Sequence, residues 1–159
     1  MRLSLPDLVL GALLAALVLA LLPRCSGPRS RSVLVRASWT LTPGVLNSAV
    51  SQSTIGVTIC RRGWTRTIRP PVSYTNDLKR KGLHAYRLRG PPSRYQEDHL
   101  ISLELGGHPT DPRNLWPEPY PRASAVDRQE NELNARVCSG RMSLAEAQRR
   151  ESLLKHDQG

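Results

Sequence analysis

The chain is poor in cysteine and in long apolar runs, and both scarcities exclude classes of protein. Only one apolar stretch among the 159 residues approaches membrane-spanning length, which excludes a transporter. No heptad or collagen-type repeat occurs, which excludes coiled-coil and collagen-like proteins. The three cysteines form no Cys-x-x-Cys pair, so a zinc site built on cysteine thiolates is not expected. The length allows one modest domain and an additional segment.

Acidic residues are also scarce, with 13 Asp and Glu against 23 Lys and Arg. The net charge of +10 suits a polyanionic partner, either nucleic acid or an anionic membrane surface. Twenty of the 23 basic residues are Arg, which is equally typical of coding bias in a GC-rich genome. The charge alone therefore leaves the partner open.

The N-terminal segment resembles a secretory signal. Arg2 precedes a nearly pure Leu, Ala and Val run over 8–22, which is short for a membrane span. Cleavage and export, a retained membrane anchor, and lipidation at Cys25 are the alternatives, and Arg24 is unfavourable for lipidation. Removal of residues 1–25 lowers the net charge only from +10 to +9. We expect a secreted or periplasmic protein, or one tethered to the outer face of the cytoplasmic membrane.

Two cysteines remain after residue 25, at Cys60 and Cys138. In an exported chain they predict one disulfide bond. Two free buried thiols in a cytosolic protein are the alternative.

Turn-forming residues divide the rest of the chain into short elements. Residues 26–38 are rich in Ser and Arg and predict a linker to a single domain over 39–155. The pattern predicts extended segments over 54–60, 95–105 and 114–116, loops around 61–71, and helices over 74–82, 124–137 and 143–155. Ser124 and Ser143 are the predicted N-caps of the last two helices.

The residues best suited to chemistry begin at Glu97, Asp98 and His99. A carboxylate binds a hard cation such as Mg²⁺, and a neighbouring metal-free imidazole can take a proton from an attacking water. A helix over 124–137 that folds back over this strand presents further polar groups on one face. These are Asp127, Glu130, Asn131 and Asn134.

The same stretch reads D-H-[IL]-x-x-L-x-x-G-G, followed by N-L. The matching residues are Asp98, His99, Leu100, Leu103, Gly106, Gly107, Asn114 and Leu115. The stretch closely resembles the HNH nucleases, the ββα-metal or His-Me finger group. Residues 40–150 as a whole are similar to small exported bacterial proteins with this signature.

The resemblance implies an α+β fold, a small ββα-metal finger (core 95–137) with a Pro/Gly-rich N-terminal half and a C-terminal helix. It makes His99 the general base, Asp98 a metal ligand and Asn114 the residue that braces the hairpin. The usual third motif position holds Ser124 or Ala123 here, so Asn131 or Asp127 would supply the second ligand. The implied cofactor is a divalent metal, Mg²⁺ or alternatively Zn²⁺, Mn²⁺ or Ca²⁺.

The sequence therefore predicts a metal-dependent endonuclease that cleaves DNA or RNA with little sequence preference. Its predicted phosphate-binding residues are Arg61, Arg62, Arg66 and Arg94. The alternative is a ββα finger without catalysis that binds polyanions or a partner at the cell envelope. A weaker alternative is a basic protein held at a membrane by its N-terminal segment.

Overall fold

A computed structural model describes residues 35–157, which contain helices and a two-stranded antiparallel sheet. This mixture agrees with the predicted α+β class. The helices and strands are α1 (Trp64–Ile68), α2 (Val72–Ala85), β1 (Tyr95–His99), β2 (Leu115–Pro119), α3 (Tyr120–Cys138) and α4 (Leu144–Asp157). The predicted signal or anchor over 1–25 lies outside the described residues, as does most of the predicted linker. No helix in the described part is long and apolar enough to cross a membrane.

The two strands form a hairpin that leads directly into α3. Asp98 pairs with Trp116, and His99 pairs with Leu115, at the end of β1 where the connecting loop begins. Pro117 and Pro119 are tolerated in β2 because each strand of a two-stranded sheet has one free edge. The order of elements is therefore strand, strand, helix over 95–138.

Helix α3 begins four residues earlier than the sequence predicts. It starts at Tyr120, so Ser124 lies inside the helix and is not its N-cap. The helix predicted over 124–137 therefore also includes Pro121, because a proline in the first helical turn sacrifices no hydrogen bond. The earlier start places the hairpin and the helix in immediate succession. In α4, by contrast, Glu146 N donates to Ser143 Oγ as the predicted cap requires.

Three other local predictions are wrong. The extended segment predicted over 95–105 ends at His99, and a 3-10 helix spans Leu103–Leu105. Residues 54–60 are not extended: a 3-10 helix spans Ile55–Val57, and Thr58 Oγ1 donates to the Thr54 carbonyl. Such local hydrogen bonds between side chain and backbone outweigh the β preference of branched residues. Trp64 lies in α1 rather than in a loop. The predicted helix over 74–82 is present and extends from Val72 to Ala85.

The core consists of two clusters on either side of the hairpin. One contains Leu105, Val137 and Ala147, and the other contains Leu100 and Trp116. The second cluster also includes two residues of the predicted linker, Val35 and Ala37. Both are buried, so this part of 26–38 belongs to the packed domain, and the predicted domain start at 39 is too late.

The predicted disulfide bond joins Cys60 to the last residue of α3, Cys138, with 5.5 Å between their Cα atoms. It closes a long loop, because the two cysteines are 78 residues apart. We expect the double variant Cys60→Ser/Cys138→Ser to lose about 2–4 kcal/mol of unfolding free energy, since the unfolded chain regains loop entropy. Urea denaturation measures the loss, and an unchanged midpoint would contradict it.

Candidate active site

His99 lies at the end of β1 with its side chain almost completely buried. Its Nε2 is 3.0 Å from the carbonyl oxygen of Pro109 in the loop between the strands. A carbonyl oxygen only accepts hydrogen bonds, so Nε2 carries the proton and Nδ1 is the unprotonated nitrogen of the neutral ring. Within residues 35–157, Nδ1 makes no hydrogen bond. The main chain therefore fixes the tautomer that leaves Nδ1 able to accept a proton.

Burial lowers the pKa of His99 below its ordinary value of 6.5. The hydrogen bond to Pro109 and the negative charge of Asp98 oppose this shift but are outweighed. The imidazole is therefore neutral at neutral pH, as a general base must be.

Asn114 holds the loop that follows His99. Its Oδ1 accepts from Ile101 N at 3.0 Å, and its Nδ2 donates to the carbonyls of Ile101 and His108, each at 3.0 Å. Its own carbonyl accepts from Leu100 N at 2.8 Å. Asn114 is fully buried, so its role is to position the loop and not to touch a substrate.

The loop packs so closely on Asn114 that one position requires glycine. A Cβ atom at Gly107 would lie 1.7 Å from the Ile101 carbonyl oxygen and 2.7 Å from Asn114 Nδ2. Any side chain at this position would force the loop away from Asn114. The second glycine of the Gly-Gly pair is thus needed for the bracing contacts themselves.

Asp98, the predicted metal ligand, is paired with a lysine. Its Oδ2 accepts from Lys155 Nζ of α4 at 2.7 Å. The same ammonium donates to the His99 carbonyl at 2.5 Å and lies 2.5 Å from Glu130 Oε1. Glu151 Oε1 is 3.5 Å away and also accepts from Ser102 N at 2.9 Å. We call these four side chains, Asp98, Glu130, Glu151 and Lys155, the lysine cage.

Burial and the Lys155 ammonium act in opposite directions on the pKa values of the carboxyl groups in the cage. Burial alone would raise the pKa of Asp98, but the Lys155 ammonium holds it below its ordinary value. Burial raises the pKa of Glu130, and raises that of Glu151 well above its ordinary value. The carboxyl groups in turn raise the pKa of Lys155 well above its ordinary value, although burial opposes this.

Glu118 extends this buried polar region along β2. It forms an ion pair with Arg122 of α3, and burial together with Asp98 raises its pKa to about 8. Arg122 also donates to the Leu154 carbonyl at 2.7 Å. This contact fastens α3 to α4 beside the lysine cage.

A cleft of about 260 Å³ lies beside the hairpin. Its lining residues are Thr65, Arg69, Ser102, Leu103, Glu104, Asp127, Glu130 and Asn131. Burial raises the pKa of Glu104 to about 7 and the pKa of Asp127 above its ordinary value. The positive charge of Arg69 opposes both increases and adds to the decrease in the pKa of His99. Arg69 is thus within electrostatic reach both of the candidate base and of the acidic wall of the cleft.

The two helix residues predicted as metal ligands both face this cleft. Asp127 and Asn131 are exposed on α3, and Asn131 Nδ2 donates to the Asp127 carbonyl at 2.7 Å. Asp127 is within electrostatic reach of Asp98, whose charge contributes to raising the pKa of Asp127, but the Asp98 carboxylate is occupied by Lys155. Across residues 35–157, no three His, Cys, Asp or Glu side chains are grouped as a metal site. The donor set therefore does not fit a divalent cation at Asp98.

The four predicted phosphate-binding arginines are divided between different places. Arg61 and Arg62 line a second cleft of about 250 Å³, which shares Thr65 and Glu104 with the first. Arg66 lies on the surface of α1, and Arg94 precedes the opposite end of β1 from His99. Arg61 and Arg62 therefore line the second cleft, whereas Arg66 and Arg94 line neither of the two clefts.

Sequence reasoning missed Glu118, Glu151 and Lys155, whereas Arg69 lies in the stretch 61–69 whose arginines the sequence predicts to bind phosphate. Glu151 and Lys155 are spaced i, i+4, which on a charged helix is typical of a solvated ion pair. Their burial depends on α4 packing against β1 and cannot be deduced from the helix alone. Comparison of the whole chain finds no matching family model, no matching curated protein and no matching solved structure.

Proposed function

We propose that this chain is an exported endonuclease of the HNH type that hydrolyses phosphodiester bonds of DNA or RNA with little sequence preference. The observation that carries the proposal is the state of His99. A buried, neutral imidazole stands at the end of β1, its Nε2 bound to a main-chain carbonyl and its Nδ1 free of hydrogen bonds among the described residues. The order of β1, β2 and α3 agrees with the ββα arrangement that the sequence resembles.

In the proposed reaction, His99 Nδ1 takes a proton from a water molecule. The oxygen of that water attacks phosphorus, the bond from phosphorus to the leaving oxygen breaks, and solvent returns a proton to the leaving oxygen. Asn114 and Gly107 take no part in this proton transfer. They hold the loop that carries Pro109 and so keep the His99 ring in place.

Phosphate binding is assigned to Arg69, with Arg61 and Arg62 continuing the basic surface. Arg69 lines the first cleft and is within electrostatic reach of His99, and the other two arginines line the second cleft. A guanidinium group suits phosphate because it can donate two parallel hydrogen bonds. Nothing in this arrangement reads base edges, so cleavage should tolerate many sequences.

A divalent cation, which in nucleases of this type would stabilise charge on the phosphate, remains a prediction. Asp98 does not fit it, for the reason given above. Asp127 and Asn131 are the predicted ligands that do face the cleft. We therefore assign no step of the reaction to a metal.

A second candidate function is polyanion binding at the cell envelope without catalysis. It is favoured by one observation, the occupation of Asp98 by Lys155. In that case nucleic acid would bind with an affinity that depends strongly on salt concentration, and it would dissociate without being cleaved.

Nicking of supercoiled plasmid by the oxidised full chain, purified in mild detergent, tests the proposal. The assay is run in Mg²⁺, Mn²⁺, Ca²⁺, Zn²⁺ and EDTA, with single-stranded RNA as a parallel substrate. We expect conversion of supercoiled to open-circular DNA in at least one condition. Salt-dependent binding with no cleavage in any condition would reject the nuclease and leave the binding function.

A further inference from the structure

Lys155 is a fully buried ammonium group enclosed by oxygen atoms. Its Nζ lies 2.7 Å from Asp98 Oδ2, 2.5 Å from Glu130 Oε1 and 2.5 Å from the His99 carbonyl oxygen. Asp98 Oδ2 and the His99 carbonyl oxygen accept hydrogen bonds from this ammonium group, and Glu130 Oε1 is an ion-pair contact. Glu151 Oε1 stands at 3.5 Å as a fourth oxygen.

This environment is the one that proteins provide for a hard cation. Calcium and magnesium take carboxylate and carbonyl oxygens at about 2.0–2.6 Å. The cage supplies oxygens from three carboxyl groups and one backbone carbonyl around one point, and its centre is closed to solvent. It includes both the expected ligand, Asp98, and the backbone of the candidate base, His99.

We propose that the Lys155 ammonium is a resident cation that takes the place of a divalent metal ion at Asp98. The chain carries this positive charge on α4, so the carboxylates of the cage are held together without a metal. Lys155 is a positioning residue, because it holds Asp98 and the His99 carbonyl and is too deeply buried to touch a substrate.

Two consequences follow from the geometry. A divalent cation cannot bind to Asp98 in the native protein, because Nζ occupies the shared position and repels a second positive charge. Removal of the lysine side chain should leave a space surrounded by carboxylates, and that space should attract a divalent cation.

Metal binding to the full chain tests the proposal without reference to cleavage, so it can fail independently of the proposed function. The variants are Lys155→Ala, which opens the space, and Lys155→Met, which removes the charge but fills the space. Thermal unfolding is followed with and without MnCl₂ or CaCl₂, and bound Mn²⁺ is counted by electron paramagnetic resonance.

For Lys155→Ala we expect one bound Mn²⁺ and a rise in melting temperature on the order of 5–10 °C at saturating metal. The bound ion should be lost in Lys155→Ala/Asp98→Asn. The native chain and Lys155→Met should show no Mn²⁺ bound through Asp98. If Lys155→Ala is unfolded without metal, we expect it to refold when Mn²⁺ is added, in place of the rise in melting temperature.

Two results would overturn the proposal. One is Mn²⁺ binding by the native chain that disappears in Asp98→Asn. The other is a Lys155→Ala variant that neither binds Mn²⁺ nor refolds in it, although Lys155→Met folds. The cage without its lysine would then have no affinity for a divalent cation.

Discussion

Replacement of His99 by alanine is expected to lower plasmid nicking by about 10²- to 10⁴-fold, the usual contribution of a general base. The loss follows from the removal of an imidazole whose Nε2 is bound to the Pro109 carbonyl and whose pKa is lowered by burial. It corresponds to about 3–5 kcal/mol of activation free energy. The measurement is the initial rate of nicking by folded variant and native chain under the same conditions.

Two further readouts separate catalysis from folding. His84→Ala is the matched control, because His84 is exposed in the last turn of α2, and it should nick at the native rate. The rate of the native chain should rise with pH and reach half of its maximum below pH 6.5, since burial lowers the pKa of His99 and only the neutral ring accepts a proton. A half-maximum above pH 7, or undiminished nicking by His99→Ala, would remove His99 from the mechanism.

Lys155→Met is expected to destabilise the fold by about 3–5 kcal/mol, because it leaves the carboxylates of the lysine cage buried without their cation. Methionine preserves most of the side-chain volume, so the loss reports on charge and not on a cavity. Urea denaturation at pH 7 gives the value. Lys81→Met, at an exposed position of α2, is the control and should change stability by less than about 0.5 kcal/mol.

The double variant Lys155→Met/Asp98→Asn identifies the origin of this loss. Asn keeps the shape of Asp98 but removes its buried charge, so the double variant should be more stable than Lys155→Met alone. Equal stability of the two would mean that Asp98 carries no uncompensated charge in the single variant. Lys155 would then act through packing.

The sequence located the hairpin more reliably than its surroundings, and the reason is physical. The positions of His99, Asn114 and the Gly-Gly pair depend on contacts within about fifteen residues of chain, so a local pattern records them. The start of α3 was misplaced because Pro121 is compatible with a first helical turn as well as with a break. The lysine cage brings Lys155 of α4 to Asp98, which lies 57 positions earlier in the chain, so the sequence offers no local sign of it.

The acceptor that fixes the His99 tautomer is a backbone carbonyl. Every amino acid possesses one, so a substitution at position 109 can move this acceptor but cannot delete it. The protonation state of the imidazole is therefore protected against point mutation in a way that a histidine oriented by a neighbouring carboxylate would not be. The side chain at position 109 is correspondingly free to vary, provided that the path of the backbone is kept.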